Sequence, residues 1–194
     1  GGSNTAVGNG AGDAITTGAS NVIIGSGADA VGVDATNSNT IGKAVVGYGS
    51  GYTTVGHDST KSYLQHGATS WGGTSDSRLK ENVTTSTVGL SFVNDLRPVT
   101  YEWKTKGSIP DTLLGYVEGS TEKFNDSDKV HHGFVAQEIK AVIDSHSDLG
   151  NGHGLWGANE TDGVQTLAPA ALIPMLVKAL QELSAKNDAL EARL

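Results

Sequence analysis

Ser75-Asp76-Ser77-Arg78-Leu79-Lys80 marks a seam in the 194-residue chain. Of the 27 glycines, 17 lie in the 74 residues before it, whereas all four prolines and most of the large apolar residues follow it. A segment so rich in Gly loses much backbone entropy on folding and has few large side chains to bury. The upstream part therefore needs repetition or association to be stable. The roughly 120 residues downstream suffice for a modest core of their own. Two regions are expected, 1–74 and 75–194.

Upstream, an apolar residue followed by Gly recurs as Val7-Gly8, Ile24-Gly25, Val31-Gly32, Ile41-Gly42, Val46-Gly47 and Val55-Gly56. Asn4, Asn21 and Asn39 precede three of these pairs at intervals of 17 and 18 residues. Such periods mean stacked units, each too small to bury a face alone. Each unit offers a strand of three or four residues, such as Asn21-Val22-Ile23-Ile24, followed by a turn of Gly, Ala, Ser and Asp. A flexible Gly/Ser linker is the alternative, but a linker has no need of β-branched residues at a period. Residues 3–57 resemble the head repeats of trimeric bacterial adhesins and similar repeats of phage tail fibres. That resemblance implies three chains wound together, with their short strands burying apolar residues on a common axis. Beyond this, Tyr63-Leu64-Gln65-His66 reads as a last strand, and His57 and His66 as surface residues rather than metal ligands.

At the seam, Ser75 carries a hydroxyl and Lys80 an amine five residues on. A hydroxyl becomes a useful nucleophile when a base takes its proton, and an amine does so when burial or a nearby cation favours its neutral form. Arg78 is a candidate for that cation, and Asp76 a further supporting residue. Attack by Ser75 on the Thr74 carbonyl closes a five-membered ring and breaks the 74–75 bond. Attack on its own carbonyl would need a four-membered ring. On residues alone, an N-cap by Asp76 or Ser77 on a short helix over 78–83 is the reading to prefer.

Ser75 to Val83 resembles the opening of the intramolecular chaperone domain of phage endosialidases and tail fibres, the peptidase S74 family. Leu96-Arg97-Pro98-Val99-Thr100-Tyr101-Glu102-Trp103-Lys104, Gly133-Phe134-Val135-Ala136-Gln137-Glu138-Ile139 and Leu176 to Leu183 match in the expected order. The resemblance implies a Ser75–Lys80 dyad that cuts its own chain between Thr74 and Ser75. It further implies a homotrimer that folds its own upstream fibre and is then released, in a tail-fibre or tailspike precursor assembled in the bacterial cytoplasm, whose parent fibre would meet a host receptor.

Downstream, Ser86 or Thr87 caps a helix carrying Val88, Leu90, Val93 and Leu96, and Arg97-Pro98 ends it. Val99 to Lys104 alternates as a half-buried strand, a second strand runs from Gly133, and Ala136 to Ile143 reads as a helix. Residues 105–130 form a long excursion with a hairpin of Leu113–Val117 against Thr121–Phe124. It is either an arm on the fibre, with Tyr116 and Phe124 as contacts, or a surface insertion. A second hairpin is plausible within 144–163, anchored by Leu155-Trp156. Asn125 to Asp128 lacks the Gly and terminal Glu of a calcium loop. Over about 170–194, Leu176, Leu180, Leu183, Asn187, Leu190 and Leu194 form an a/d seam with a polar residue at one a position, extended upstream by Ile173. That pattern favours self-association over packing on the helix's own domain.

The fold class expected is α+β: a Gly-rich β-repeat, then a chaperone domain ending in a coiled-coil helix. The net charge of −8 argues against a nucleic-acid partner, no run is long enough to span a bilayer, and neither a metal nor a cofactor is called for. A permanent, uncut trimeric foot is the alternative function. A hydrolase of external glycans is disfavoured for want of paired carboxylates.

Overall fold

The computed structural model describes residues 1–125, 128–150 and 154–193. They divide into two compact units, Gly1–Val83 and Thr84–Leu194. The seam stretch thus makes its contacts within the first unit.

In the first unit, β1 (Thr5–Val7), β2 (Val22–Ile24), β3 (Asn39–Ile41) and β4 (Tyr52–His57) pair in parallel and in that order. Thr5 lies beside Val22, Val22 beside Asn39, and Asn39 beside Thr53. Each strand is followed by a loop that returns to the same edge, so the chain climbs as a stack of coils. Each short strand pairs with the coil next to it in the same chain. The antiparallel strands β5 (Thr60–Gln65) and β6 (Gly72–Gly73) close the sheet.

The register explains the repeat. Asn4 Oδ1 accepts from both the backbone and side-chain nitrogens of Asn21 at 3.0 Å, and Asn21 Oδ1 accepts from the Ser38 amide at 2.9 Å. The asparagine column therefore continues at Ser38, where only a backbone N–H is required. Asn39 sits one position on, bonding Thr53 Oγ1. Ile23, Thr40 and Thr54 point inward and are buried. Val7, Ile24, Ile41 and Val55, aligned in register, point outward. The glycines that follow them stack against one another: Gly8, Gly25 and Gly42 have φ near +130°, and a Cβ on Gly25 would lie 2.0 Å from the Gly42 carbonyl oxygen. At the last coil, Tyr63 is stacked on Tyr48 at 3.6 Å between centroids, with Tyr52 edge-on. Glycine at position 72 leaves room for the Tyr63 ring. Tyr63 lies in register with the buried Thr54, one strand past the inward column, while Tyr48 is exposed.

In the second unit, α1 (Leu90–Asp95) packs on α3 (Ile173–Glu191), and α2 (Ala136–Ser145) packs on the hairpin of β9 (Trp156–Ala158) and β10 (Gln165–Leu167). Phe92, Ile139, Ile143, Leu155 and Leu172 form the core. β7 (Val99–Tyr101) pairs antiparallel with β8 (His131–Gly133), two residues earlier than the sequence pattern indicates. Arg97, just after α1, makes a two-pronged ion pair with Glu138 in the first turn of α2 (Nε to Oε2 2.9 Å). It joins two of the motif stretches 41 residues apart. Both groups are exposed, so its worth is in orientation more than stability.

Two expectations are corrected. The excursion holds no strand pair of 113–117 with 121–124. Instead Lys104 to Gly107 faces Ser120 to Phe124 through Lys106 N to Glu122 O (2.7 Å) and Phe124 N to Lys104 O (2.8 Å), enclosing a loop. The start of α1 is not capped by Ser86 or Thr87: its Ncap is Gly89, and the Leu90 amide donates to Glu182 Oε2 of α3 at 2.9 Å. Gly89 permits that approach, since a Cβ there would stand 2.8 Å from the Glu182 carboxylate. A hairpin follows α2, but its second strand, Gln165–Leu167, lies past the 144–163 bounds expected, and the terminal helix is entered through a 3-10 turn at Pro169–Leu172.

Two tests follow from these contacts. Gly25→Ala forces both a disallowed φ and a backbone overlap, and should destabilise the coil stack by about 2 kcal/mol or more in denaturant unfolding. The Glu182 carboxyl is held below the usual Glu range, first by the Leu90 amide and then by Lys178. A depressed carboxyl contributes stability that is fully present above the unfolded value of about 4.3 and is lost as pH falls through the depressed one. Glu182→Ala should therefore lower the melting temperature at pH 7, and the gap from wild type should close on acidification.

Candidate active site

The segment after β6 runs exposed through Thr74 and Ser75, then tightens. Asp76, in an extended conformation (φ −67°, ψ 133°), caps a single 3-10 turn at Ser77–Leu79. Its Oδ1 accepts from the Arg78 amide at 2.9 Å, while the Leu79 amide bonds the Asp76 carbonyl at 3.1 Å. The Lys80 amide then bonds the Ser77 carbonyl at 3.2 Å. A short helix over 78–83 does not form, since Lys80 is already extended (φ −119°, ψ 141°).

This turn folds the chain back far enough for Lys80 Nζ to donate to Ser75 Oγ at 2.7 Å. The two residues singled out by their spacing are therefore in direct hydrogen-bond contact within one chain. That is the distance a base needs to take a hydroxyl proton. Both are exposed, as are the neighbouring Leu79 (73 %) and Val83 (75 %).

Arg78 is turned toward Asp76. Its Nε lies 3.0 and 3.2 Å from the two carboxylate oxygens, and Nη2 lies 2.6 Å from Oδ2. The Arg78 guanidinium and amide together hold the Asp76 carboxyl below the usual range, and the carboxylate in turn raises the guanidinium. The Arg78 guanidinium, the candidate cation for the amine, is thus forked onto Asp76.

On the terminal helix, Leu176, Leu180, Leu183 and Leu190 are exposed along the expected seam, with Ile173 above them. Asn187 Nδ2 bonds Glu191 Oε1 at 2.8 Å within the helix. Leu194 lies outside the described residues, as do two of the four residues from Asn125 to Asp128. A neighbouring face of α3, carrying Met175 and the buried Ala179, is engaged with its own unit. The face packed on the unit and the exposed leucine row are thus different faces of one helix. Among the described residues no group of three His, Asp or Glu is placed to hold a metal, and no described helix is long and apolar enough to cross a membrane.

Residues 75–148 match the family model for the chaperone of endosialidase, Peptidase S74. This region is similar to the chaperone domain of endosialidases. The S74 match opens on Ser75, the residue whose hydroxyl meets Lys80. It covers α1, α2 and the Arg97–Glu138 pair. The β9–β10 hairpin and α3 lie beyond it, as do the upstream coils. No curated protein and no solved structure matches the chain.

The Asp76 contacts can be read directly. In a carboxyl-detected NMR titration its midpoint should fall below the ordinary aspartate value of about 3.9 and return toward it in Arg78→Ala.

Proposed function

We propose that this chain is an intramolecular chaperone that assembles as a homotrimer, folds the end of its own fibre, and then releases itself by cutting between Thr74 and Ser75. The observation that carries the reading is the 2.7 Å contact of Lys80 Nζ with Ser75 Oγ, at the first residue of the S74 match and at the exit of the coil stack.

The chemistry runs from neutral Lys80, which accepts the Ser75 hydroxyl proton as Oγ attacks the Thr74 carbonyl carbon. The tetrahedral intermediate expels the Ser75 nitrogen, which takes up the proton and becomes an amine, leaving Thr74 joined to Oγ as an ester. Water hydrolyses the ester, giving a Thr74 carboxylate and a free Ser75 hydroxyl below a new N-terminus. An amine is a base only when neutral, and burial favours the neutral form of a lysine. In the single chain the dyad, Leu79 and Val83 face water. Covering them in an assembly couples the cut to assembly.

Trimer formation is supported by two apolar rows. One is the outward column Val7, Ile24, Ile41 and Val55, with Val7 57 % and Val55 41 % exposed. The other is the helix seam, where Leu180 is 67 % and Leu190 60 % exposed. Contiguous apolar rows of this kind mark association surfaces. Three helices brought together by the seam set a common register, and slow non-local strand stacking then grows from a fixed end. Once the chaperone leaves, the fibre is kinetically trapped. In a tail fibre or tailspike made in the bacterial cytoplasm, the parent fibre would carry receptor contact.

The exposure of the dyad favours a second reading, a permanent trimeric foot that is never cut. The two are separated by Ser75→Ala and Lys80→Ala chains. Both should form trimers by native mass and stay whole, while wild type yields two pieces. After denaturation, full-length Ser75→Ala should recover its coil stack and cut wild type should not. Equal recovery would contradict the chaperone role, and an uncut wild-type trimer would favour the foot.

A further inference from the structure

Sequence spacing alone leaves open which chain supplies the lysine to a given serine. Five residues of extended chain span about 17 Å, well beyond the reach of a lysine side chain back to residue 75. The contact is made because the chain turns between them, and every bond that closes the turn starts at Asp76 or Ser77. Asp76 Oδ1 takes the Arg78 amide, the Asp76 carbonyl takes the Leu79 amide, and the Ser77 carbonyl takes the Lys80 amide. The second Asp76 oxygen is held by Arg78 Nη2, so the carboxylate is anchored from two directions. The turn has no buried residue and three residues only, so packing does not hold it. A polar cap is then the principal local restraint, because a short exposed turn has little else to offset its ordering entropy.

We infer that Asp76 is a positioning residue that holds Lys80 on Ser75 of its own chain, so that the dyad is built in cis. This rests on the self-cleavage reading and adds to it the residue that builds the site and the chain that supplies the base. Asp76 does not touch the scissile bond. It acts through the turn, and its acceptor atom matters more than its charge, since the amide of Arg78 needs only an oxygen at that point.

The test uses the full chain and follows the cut by denaturing mass against time. Asp76→Asn keeps an acceptor at the cap and should cut within about twofold of the wild-type rate. Asp76→Ala removes it and should cut at least about fivefold more slowly, with oligomeric state and melting temperature unchanged. Rescue by Asn separates positioning from a loss of charge. In parallel, an isotope-labelled Lys80→Ala chain, which retains Ser75, is co-expressed with an unlabelled Ser75→Ala chain, which retains Lys80. In assemblies that native mass shows to contain both, neither chain should be cut. Cleavage of the Lys80→Ala chain would mean that a neighbour supplies the base, and would overturn the inference while leaving self-cleavage intact. So would an Asp76→Ala chain that cuts at the wild-type rate. Should Asp76→Ala fail to fold, the co-expressed pair still decides. A wild-type chain that stays whole overturns the self-cleavage reading and this inference with it.

Discussion

The outward column of the coil stack and the leucine seam of α3 obey one constraint: each is an apolar row left exposed by the packing of its own unit. The coils satisfy their backbone internally through in-register parallel pairing and the asparagine column. What they leave over is one outward apolar residue per coil, from Val7 to Val55. The helix likewise uses one face on α1 and leaves the other in water. In the homotrimer we propose, both rows are covered by the same two neighbouring chains. Close approach between coils is the reason for the glycines in the column, and the outward valine or isoleucine before each of them is the side chain left to meet a neighbour.

Between these surfaces lies a segment with almost no packing of its own. From Thr74 to Thr87 the backbone is largely exposed, and its one ordered feature is the capped turn that joins Lys80 to Ser75. Exposure suits a bond that is to be cut, because the products must separate and water must reach the ester. A general base must be neutral, however, and burial is what favours the neutral form of an amine. The proposed order of events, assembly and then cleavage, follows from that opposition.

Much of this was legible in the residues. The repeat, the terminal helix, the second hairpin and the Ser75–Lys80 pairing could be read from spacing and resemblance. What could not be read was set by partners distant in sequence. Glu182 caps α1 from 92 residues away, so Ser86 and Thr87 looked like the local solution. Ser38 continues the asparagine column because only its backbone N–H is used, and no side-chain pattern reports that. Thr40 and Thr54 fill the coil interior, although their polarity reads as surface. At the seam the two explanations weighed for the stretch, a cap and a dyad, proved not to compete: Asp76 caps the turn, and the turn makes the dyad contact. That Arg78 forks onto Asp76 was not legible, because charge alone does not say which neighbour a guanidinium will meet.

The central claim is that the chain breaks itself between Thr74 and Ser75. Intact mass under denaturing conditions on freshly purified protein tests it most directly. The account predicts two fragments, the larger beginning at Ser75 with a free amine. A fragment beginning at Asp76 would contradict the acyl shift to the Ser75 hydroxyl, and a single chain that remains whole while trimeric would contradict self-release.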